Sequence, residues 1–341
     1  MFRLLFFGFG NVGQALAQLL IEKKDSLSER YGFEYKTVGI VDMLKGSVIN
    51  NAGLDLSKAL KMVSQDESLN KYPGGETGIM GLDAINKADA DVLLEMTYTD
   101  IKTAEPATAH IKTAFQKKMH VVTSNKGPLA LFYRELKSLA DEKGVEFLFE
   151  GTIMSGTPLL NLIRETLAGS EILKVQGILN GTTNFILTKM EEGMAYEQAL
   201  KKAQELGYAE AVPDADVKGW DALAKTTILA NVVFNKMLKP DDIPCQGITD
   251  VTSEHIKKAK SGNQRYKLLA SVEKKNGEII AGVSPVKICL SHPLASVNGA
   301  VNALTITTDT LEDVTIVGPG AGRKQTGYSM LIDLLTIGGK K

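Results

Sequence analysis

The first two dozen residues constrain the fold more than any other stretch. Leu4-Leu5-Phe6-Phe7 is a continuous apolar run, as a central parallel strand buried on both faces requires. Gly8-Phe9-Gly10-Asn11-Val12-Gly13 follows at once and reads G-x-G-x-x-G. Val12, Ala15, Leu16, Leu19 and Leu20 then recur at helical spacing, and Glu22-Lys23-Lys24 end the apolar stripe. The motif has chemical meaning in this context: glycines permit the tight turn, and a helix N-terminus points N–H groups at a pyrophosphate. Gly8, Gly10, Asn11, Val12 and Gly13 thus form a candidate dinucleotide-binding turn; a purely structural glycine turn is the alternative. A signal peptide is the other competitor, since Leu4 to Ile21 is uncharged behind Arg3 and Ala15-Leu16-Ala17 imitates a cleavage site. The glycines, Asn11, Gln14 and Gln18 break the apolar core that a signal peptide or a membrane span needs.

A second strand, Thr37 to Val41, ends in Asp42. An acidic residue there accepts hydrogen bonds from the adenosine ribose and repels a 2′-phosphate, although a plain turn role is open. Its separation from Gly13 exceeds the usual ~20 residues, so the first helix or its exit loop is extended. Lys45 and Lys58 lie close enough in sequence to soften discrimination against a phosphate. Asp91 to Met96 is a further strand with Thr97 at its carboxyl end, and Met119 to Thr123 is followed by Ser124-Asn125-Lys126-Gly127-Pro128. Ligands of open α/β sheets gather outside the carboxyl ends of strands, which places Thr97 and Lys126 where cofactor and substrate meet, with an ordinary surface lysine as the other reading of Lys126. Pro73 to Gly78 lacks a Walker ending and reads as a surface loop.

With 341 residues the chain has room for two domains, at roughly 100–200 residues each. From Val145 the pattern changes to strands and helices in no strict alternation: a strand into Glu150-Gly151-Thr152, another over 172–179, a polar Asn180–Asn184 turn capping a helix, and an Asn276-Gly277 hairpin. The chemistry concentrates at 207–225, where Glu210, Asp214, Asp216 and Asp221 fall within 12 residues. Asp221 and Lys225 are an i, i+4 pair opening an apolar helix. An ordinary helix salt bridge is one reading; carboxylates that hold an amino acid's ammonium beside a proton-donating lysine are the other. Val314 to Val317 and Gly318-Pro319-Gly320-Ala321-Gly322, before a last apolar helix, repeat the strand–glycine–helix logic and suggest a return to the first domain. The expected fold is an α/β Rossmann-type dinucleotide-binding domain, 1–140 joined by 311–341, plus an α+β substrate-binding and dimerisation domain, 141–310.

Charge and rare residues narrow the function. A formal net charge of −1 leaves no electrostatic footprint for nucleic acid or a membrane surface. Cys245 and Cys289 form no CxxC, and four histidines show no HExxH, which argues against disulfide or zinc chemistry and fits a reducing cytoplasm.

GFGNVG, SNKGP at 124–128, EGT and SGTP from Glu150, ILNGTTN at 178–184, GYAE with GWDALAK over 207–225, and GPGAG at 318–322 together resemble homoserine dehydrogenase over nearly the whole chain. The resemblance implies NAD- or NADP-linked interconversion of L-homoserine and L-aspartate 4-semialdehyde, a step of threonine and methionine biosynthesis, by a homodimer built through the substrate domain. It implies Lys225 as the acid/base lysine, Lys126 as a second active-site lysine and a cofactor contact, and Glu210, Asp216 and Asp221 as substrate-binding. Glu150 with backbone oxygens of Ile153, Ser155 and Thr157 resembles a monovalent-cation site, usually sodium; Thr97 and Gly322 resemble cofactor contacts. Family members usually read Glu-Ala-Asp-Pro where this chain has Glu210-Ala211-Val212-Pro213. Many also carry an amino-acid-binding ACT module. Here Gly318 to Leu335 is taken up by the return, so no ACT-mediated inhibition by threonine is expected. Rival readings are an aldehyde-oxidising semialdehyde dehydrogenase, which needs an activated cysteine, and a dinucleotide-sensing regulator.

Overall fold

The computed structural model describes residues 1–339. The chain divides into two compact units, Met1–Gly156 with the segment from Gly322 onward, and Thr157–Ala321.

The first unit contains β1 (Phe2–Phe7), α1 (Asn11–Glu22), α2 (Lys24–Tyr31), β2 (Tyr35–Asp42), β3 (Gly46–Leu54), α3 (Leu56–Ser64), β4 (Glu76–Thr77), α4 (Gly81–Lys87), β5 (Val92–Glu95), α5 (Ala107–Gln116), β6 (His120–Thr123), α6 (Lys126–Lys143) and β7 (Phe147–Leu148). Its sheet runs β4-β3-β2-β1-β5-β6-β7. β1, β2, β5, β6 and β7 are parallel, and β3 and β4 extend one edge in antiparallel fashion. β1 is central, so Leu4, Leu5 and Phe6 are wholly buried, as its unbroken apolar run requires. The long interval between Gly13 and Asp42 is filled by α2, which stops where Gly32 takes the left-handed conformation (φ 59°). The 73–78 segment is not all loop, because Glu76 and Thr77 pair with Ile49 and Val48.

The second unit comprises β8 (Ile172–Ile178), α7 (Gly181–Glu191), α8 (Tyr196–Glu205), α9 (Asp214–Val217), α10 (Trp220–Val233), α11 (Ser253–Ser261), β9 (Gln264–Lys275), β10 (Glu278–Cys289), β11 (Asn302–Thr308) and β12 (Glu312–Gly318). The five strands form one antiparallel sheet, β10-β9-β8-β11-β12, against which α10 packs through β9 and β10. Asn276 and Gly277 both have positive φ (52° and 82°), the geometry that a two-residue hairpin between twisted strands demands. The unit also encloses Lys267, 1% exposed, whose Nζ donates to Asn184 Oδ1 at 2.9 Å and to the Val297 carbonyl. Burial pushes this lysine down to about 8.

The chain re-enters the first unit as α12 (Arg323–Ile337). A Cβ on Gly327 would lie 2.9 Å from the Leu16 nitrogen, so glycine lets α12 close onto α1.

Both unit boundaries differ from 1–140, 141–310 and 311–341. β7 pairs in parallel with β6, so the strand near 147 completes the first sheet. Val314 to Val317 belongs to β12, in a hairpin with β11 whose register runs from Asn302↔Gly318 to Thr308↔Glu312. Antiparallel pairing with its immediate predecessor claims this strand, and the return begins only at Gly322.

Candidate functional site

In the first unit the glycine turn is fixed by close approach. Gly8 has φ 91°, and a Cβ there would lie 2.3 Å from the Met96 carbonyl oxygen; one on Gly13 would lie 2.3 Å from the Gly8 oxygen. Gly10 differs, since a Cβ on it would meet nothing within 4 Å. That side is open, and α1 starts from Gly10 with no side-chain cap. The N–H groups of Asn11, Val12 and Gly13 belong to that uncapped first turn, the arrangement that receives a phosphate. Asp42 reaches into the same turn: its Oδ2 accepts the Phe9 N–H at 2.7 Å, while Oδ1 accepts those of Leu44 and Lys45, each at 2.9 Å. Lys58 lies over the Tyr72 ring, 5.5 Å from its centroid.

At the carboxyl end of β5, Glu95 is wholly buried. The Thr97 N–H (3.3 Å) and hydroxyl both donate to its Oε1, and the Thr123 hydroxyl donates to its carbonyl at 2.9 Å. The Asn125 N–H donates to the Thr123 hydroxyl at 3.0 Å, and its side-chain amide to the carbonyls of Thr97 and Tyr98. Asn125 Oδ1 caps α6 through the Gly127 N–H at 3.2 Å, so half-buried Lys126 opens α6 beside this network. Glu95 does not stand out in the sequence; its only signal there is a carboxylate ending an apolar strand.

Glu150 is 2% exposed, and its N–H donates to Asp333 Oδ2 at 2.9 Å. A Cβ on Gly151 would strike Ser329 Oγ at 2.6 Å, so α12 lies tight against this turn. Ser155 takes a left-handed conformation (φ 54°) and its hydroxyl pairs with that of Thr326 at 2.7 Å. Thr157 belongs to the second unit, where its hydroxyl donates to the Pro319 carbonyl at 3.0 Å. Among the described residues no three His, Cys, Asp or Glu side chains converge as metal ligands. Gly322, φ 133°, starts α12 with no side-chain cap.

The second unit brings two of the four carboxylates of the acidic segment, Asp216 and Asp221, together. Lys225, 7% exposed, donates from Nζ to Asp221 Oδ2 and to the Leu179 carbonyl, both at 2.7 Å. Asn302 donates to the same Leu179 oxygen at 3.0 Å. Asn180, which the sequence marks only as the cap of α7, donates from Nδ2 to Asp216 Oδ1 at 2.7 Å and to Asp221 Oδ2 at 3.1 Å. Burial pushes the Asp216 carboxyl up, with Asp221 and Glu210 adding to the rise, while Asn180 and Lys225 oppose it. Glu210 itself is exposed and stands outside the hydrogen-bonded cluster. Asp214 pairs instead with Lys218 on the surface at 2.6 Å. A buried ammonium held by one carboxylate and one carbonyl, with a second carboxylate alongside, suits proton donation to an oxygen and capture of a small cation. Cys245 is pushed up by burial and its thiol faces the Gly219 carbonyl at 3.5 Å; this is the reverse of an activated nucleophile.

Comparison with known proteins is consistent with this chemistry. The homoserine dehydrogenase family model matches residues 158–335. The NAD(+)-dependent homoserine dehydrogenase of Pseudomonas canavaninivorans is 42% identical over 337 residues, 98% of this chain and 96% of that protein. The homoserine dehydrogenase of Methanocaldococcus jannaschii is also 42% identical, over 97% and 96% of the two chains. A hyperthermophilic archaeal homoserine dehydrogenase solved in complex with NADPH superposes with a TM-score of 0.83 at 32% identity, covering 98% of this chain and 97% of its own. The chain belongs to the homoserine dehydrogenase family.

Proposed function

We propose that this protein interconverts L-homoserine and L-aspartate 4-semialdehyde with NAD or NADP, within the aspartate-derived synthesis of threonine, methionine and isoleucine. The observation that carries the reading is Lys225, a buried lysine seated between Asp221 and the Leu179 carbonyl in a family member. A bound NAD or NADP would supply the hydride acceptor for the alcohol carbon and, in reverse, the hydride donor for the aldehyde. Two N–H groups of the Lys225 ammonium are engaged, which leaves the third for the substrate oxygen. Lys225 thus gives a proton to the carbonyl oxygen as the alcohol forms, and takes the hydroxyl proton in the reverse direction. Asp216 and Asp221 receive the substrate ammonium, with Glu210 at the exposed rim. Lys126 serves as the second active-site lysine.

The first unit supplies what a dinucleotide needs. Gly8 and Gly13 make the close turn, Gly10 leaves room for the pyrophosphate, and Asn11 and Val12 offer N–H groups. Asp42 accepts from the adenosine ribose and favours NAD over NADP. Thr97, Lys126 and Gly322 complete the cofactor contacts. A monovalent cation, sodium, suits the all-oxygen donors of Glu150 and the carbonyls of Ile153, Ser155 and Thr157. The enzyme acts as a homodimer in the cytoplasm, binding neither nucleic acid nor a membrane surface, a reading supported by the net charge of −1.

The test is turnover of L-homoserine with NAD and with NADP, followed at the reduced nicotinamide absorbance. Homoserine-dependent reduction of either cofactor is expected, faster with NAD. No turnover with either by the folded protein contradicts the assignment.

A further inference from the structure

We propose that Asn180 is a positioning residue that holds Asp216 and Asp221 as an adjacent pair of ionised carboxylates facing the substrate ammonium. The proposal rests on the assignment of those two residues to substrate binding.

The orientation of the amide is not arbitrary. Asn180 Oδ1 accepts the Thr183 N–H at 2.9 Å and the Thr183 hydroxyl at 3.0 Å, which commits the oxygen to the start of α7. Nδ2 is thereby turned to the carboxylates, and its two hydrogens are spent on two different residues, Asp216 at 2.7 Å and Asp221 at 3.1 Å. The side chain is 5% exposed, so the bridge lies out of water. Two carboxylates this close repel, and without a donor between them uptake of a proton by one is favoured. A protonated carboxyl cannot hold an ammonium as an ion pair. The oxygen of Asp221 that Asn180 binds also receives Lys225 Nζ, so one amide sets both the carboxylate pair and the seat of the lysine.

The charged groups that face Asp216 are Asp221 and Lys225 from α10 and Glu210 from the preceding loop. Asn180 lowers its pKa, against burial and the two other carboxylates. Losing Asn180 therefore raises the pH below which Asp216 is neutral.

Asn180→Ser and Asn180→Asp separate this role from capping, because serine and aspartate are both good N-caps. Neither can bridge two carboxylates as the amide does. In each variant the acid limb of the pH profile of kcat/KM for homoserine should move up by about one pH unit, further for aspartate. Homoserine KM should rise ~10-fold, the cost of one charge-assisted hydrogen bond. NAD(P) affinity should stay at the wild-type value, while the unfolding midpoint falls, more for aspartate, because a buried hydrogen bond to the carboxylates is lost. An acid limb that superimposes on the wild type in both variants overturns the proposal, as does an equal rise in cofactor and homoserine KM. Carbon NMR of the Asp216 carboxyl follows the same titration without turnover: it must move up in Asn180→Ser. A wild type that turns over no homoserine would refute the functional assignment, whereas an unmoved Asp216 titration refutes the role of Asn180 alone.

Discussion

At the end of β2 one carboxylate serves two purposes. Asp42 ties the glycine turn to its own strand through the Phe9 N–H and shapes the following turn through Leu44 and Lys45. The ribose and turn readings therefore do not exclude each other. Asp42→Ala should reduce the preference for NAD over NADP, measured as the ratio of kcat/KM values, by ~10-fold, since about 1.4 kcal/mol of repulsion toward a 2′-phosphate is lost. An unchanged ratio would show that the ribose lies elsewhere. Residue chemistry is legible in the sequence where type and spacing coincide, as in Asp221 and Lys225. It is illegible for Asn180, whose carboxylate partners lie 36 and 41 positions away, and for Glu95, which joins its neighbour Thr97 to Thr123, 28 positions on. The departure at Val212 falls on a surface position, 75% exposed, whereas Lys225 is buried.

The three motif glycines impose different demands on the turn between β1 and α1. Gly8 and Gly13 are required by backbone atoms 2.3 Å from where a Cβ would stand, whereas the space beside Gly10 is open. Gly13→Ala should thus lower stability, because backbone cannot yield as a flexible side chain can, and cofactor binding falls only as a consequence. Gly10→Ala should leave the unfolding midpoint nearly unchanged and weaken NAD(P) binding ~10–100-fold, the cost of about 1.5–3 kcal/mol of charge-assisted contact. Thermal denaturation and cofactor titration of the two variants separate these outcomes; unaltered cofactor affinity in Gly10→Ala would mean that the turn holds no pyrophosphate. The same local logic misleads at the C-terminus. An apolar strand before Gly318–Gly322 looks like another parallel strand, but pairing is a non-local property, and the adjacent β11 captures it as a hairpin.

Across the whole molecule, patterning discloses two kinds of architecture, because parallel strands buried on both faces and half-covered antiparallel strands carry different hydrophobic periods. The limits of the units are harder to read. β7 contributes only two residues to the first sheet, too short a segment to show a period, and the crossing points at Gly156 and Gly322 fall in short glycine–proline stretches that read equally well as ordinary turns. The long acidic segment separates into roles only in three dimensions: Asp214 on a surface ion pair, Glu210 exposed, and Asp216 and Asp221 gathered at Asn180 beside Lys225. Everything proposed for the reaction turns on whether that lysine moves the proton. The most direct measurement is kcat for homoserine oxidation by Lys225→Met, which keeps the apolar stem, with NAD(P) affinity measured on the same sample. A fall of about 10²–10⁴-fold in kcat with wild-type cofactor affinity is expected for loss of a general acid–base group. A folded Lys225→Met protein with near-normal kcat would reduce the pair with Asp221 to an ordinary helix salt bridge and contradict the account.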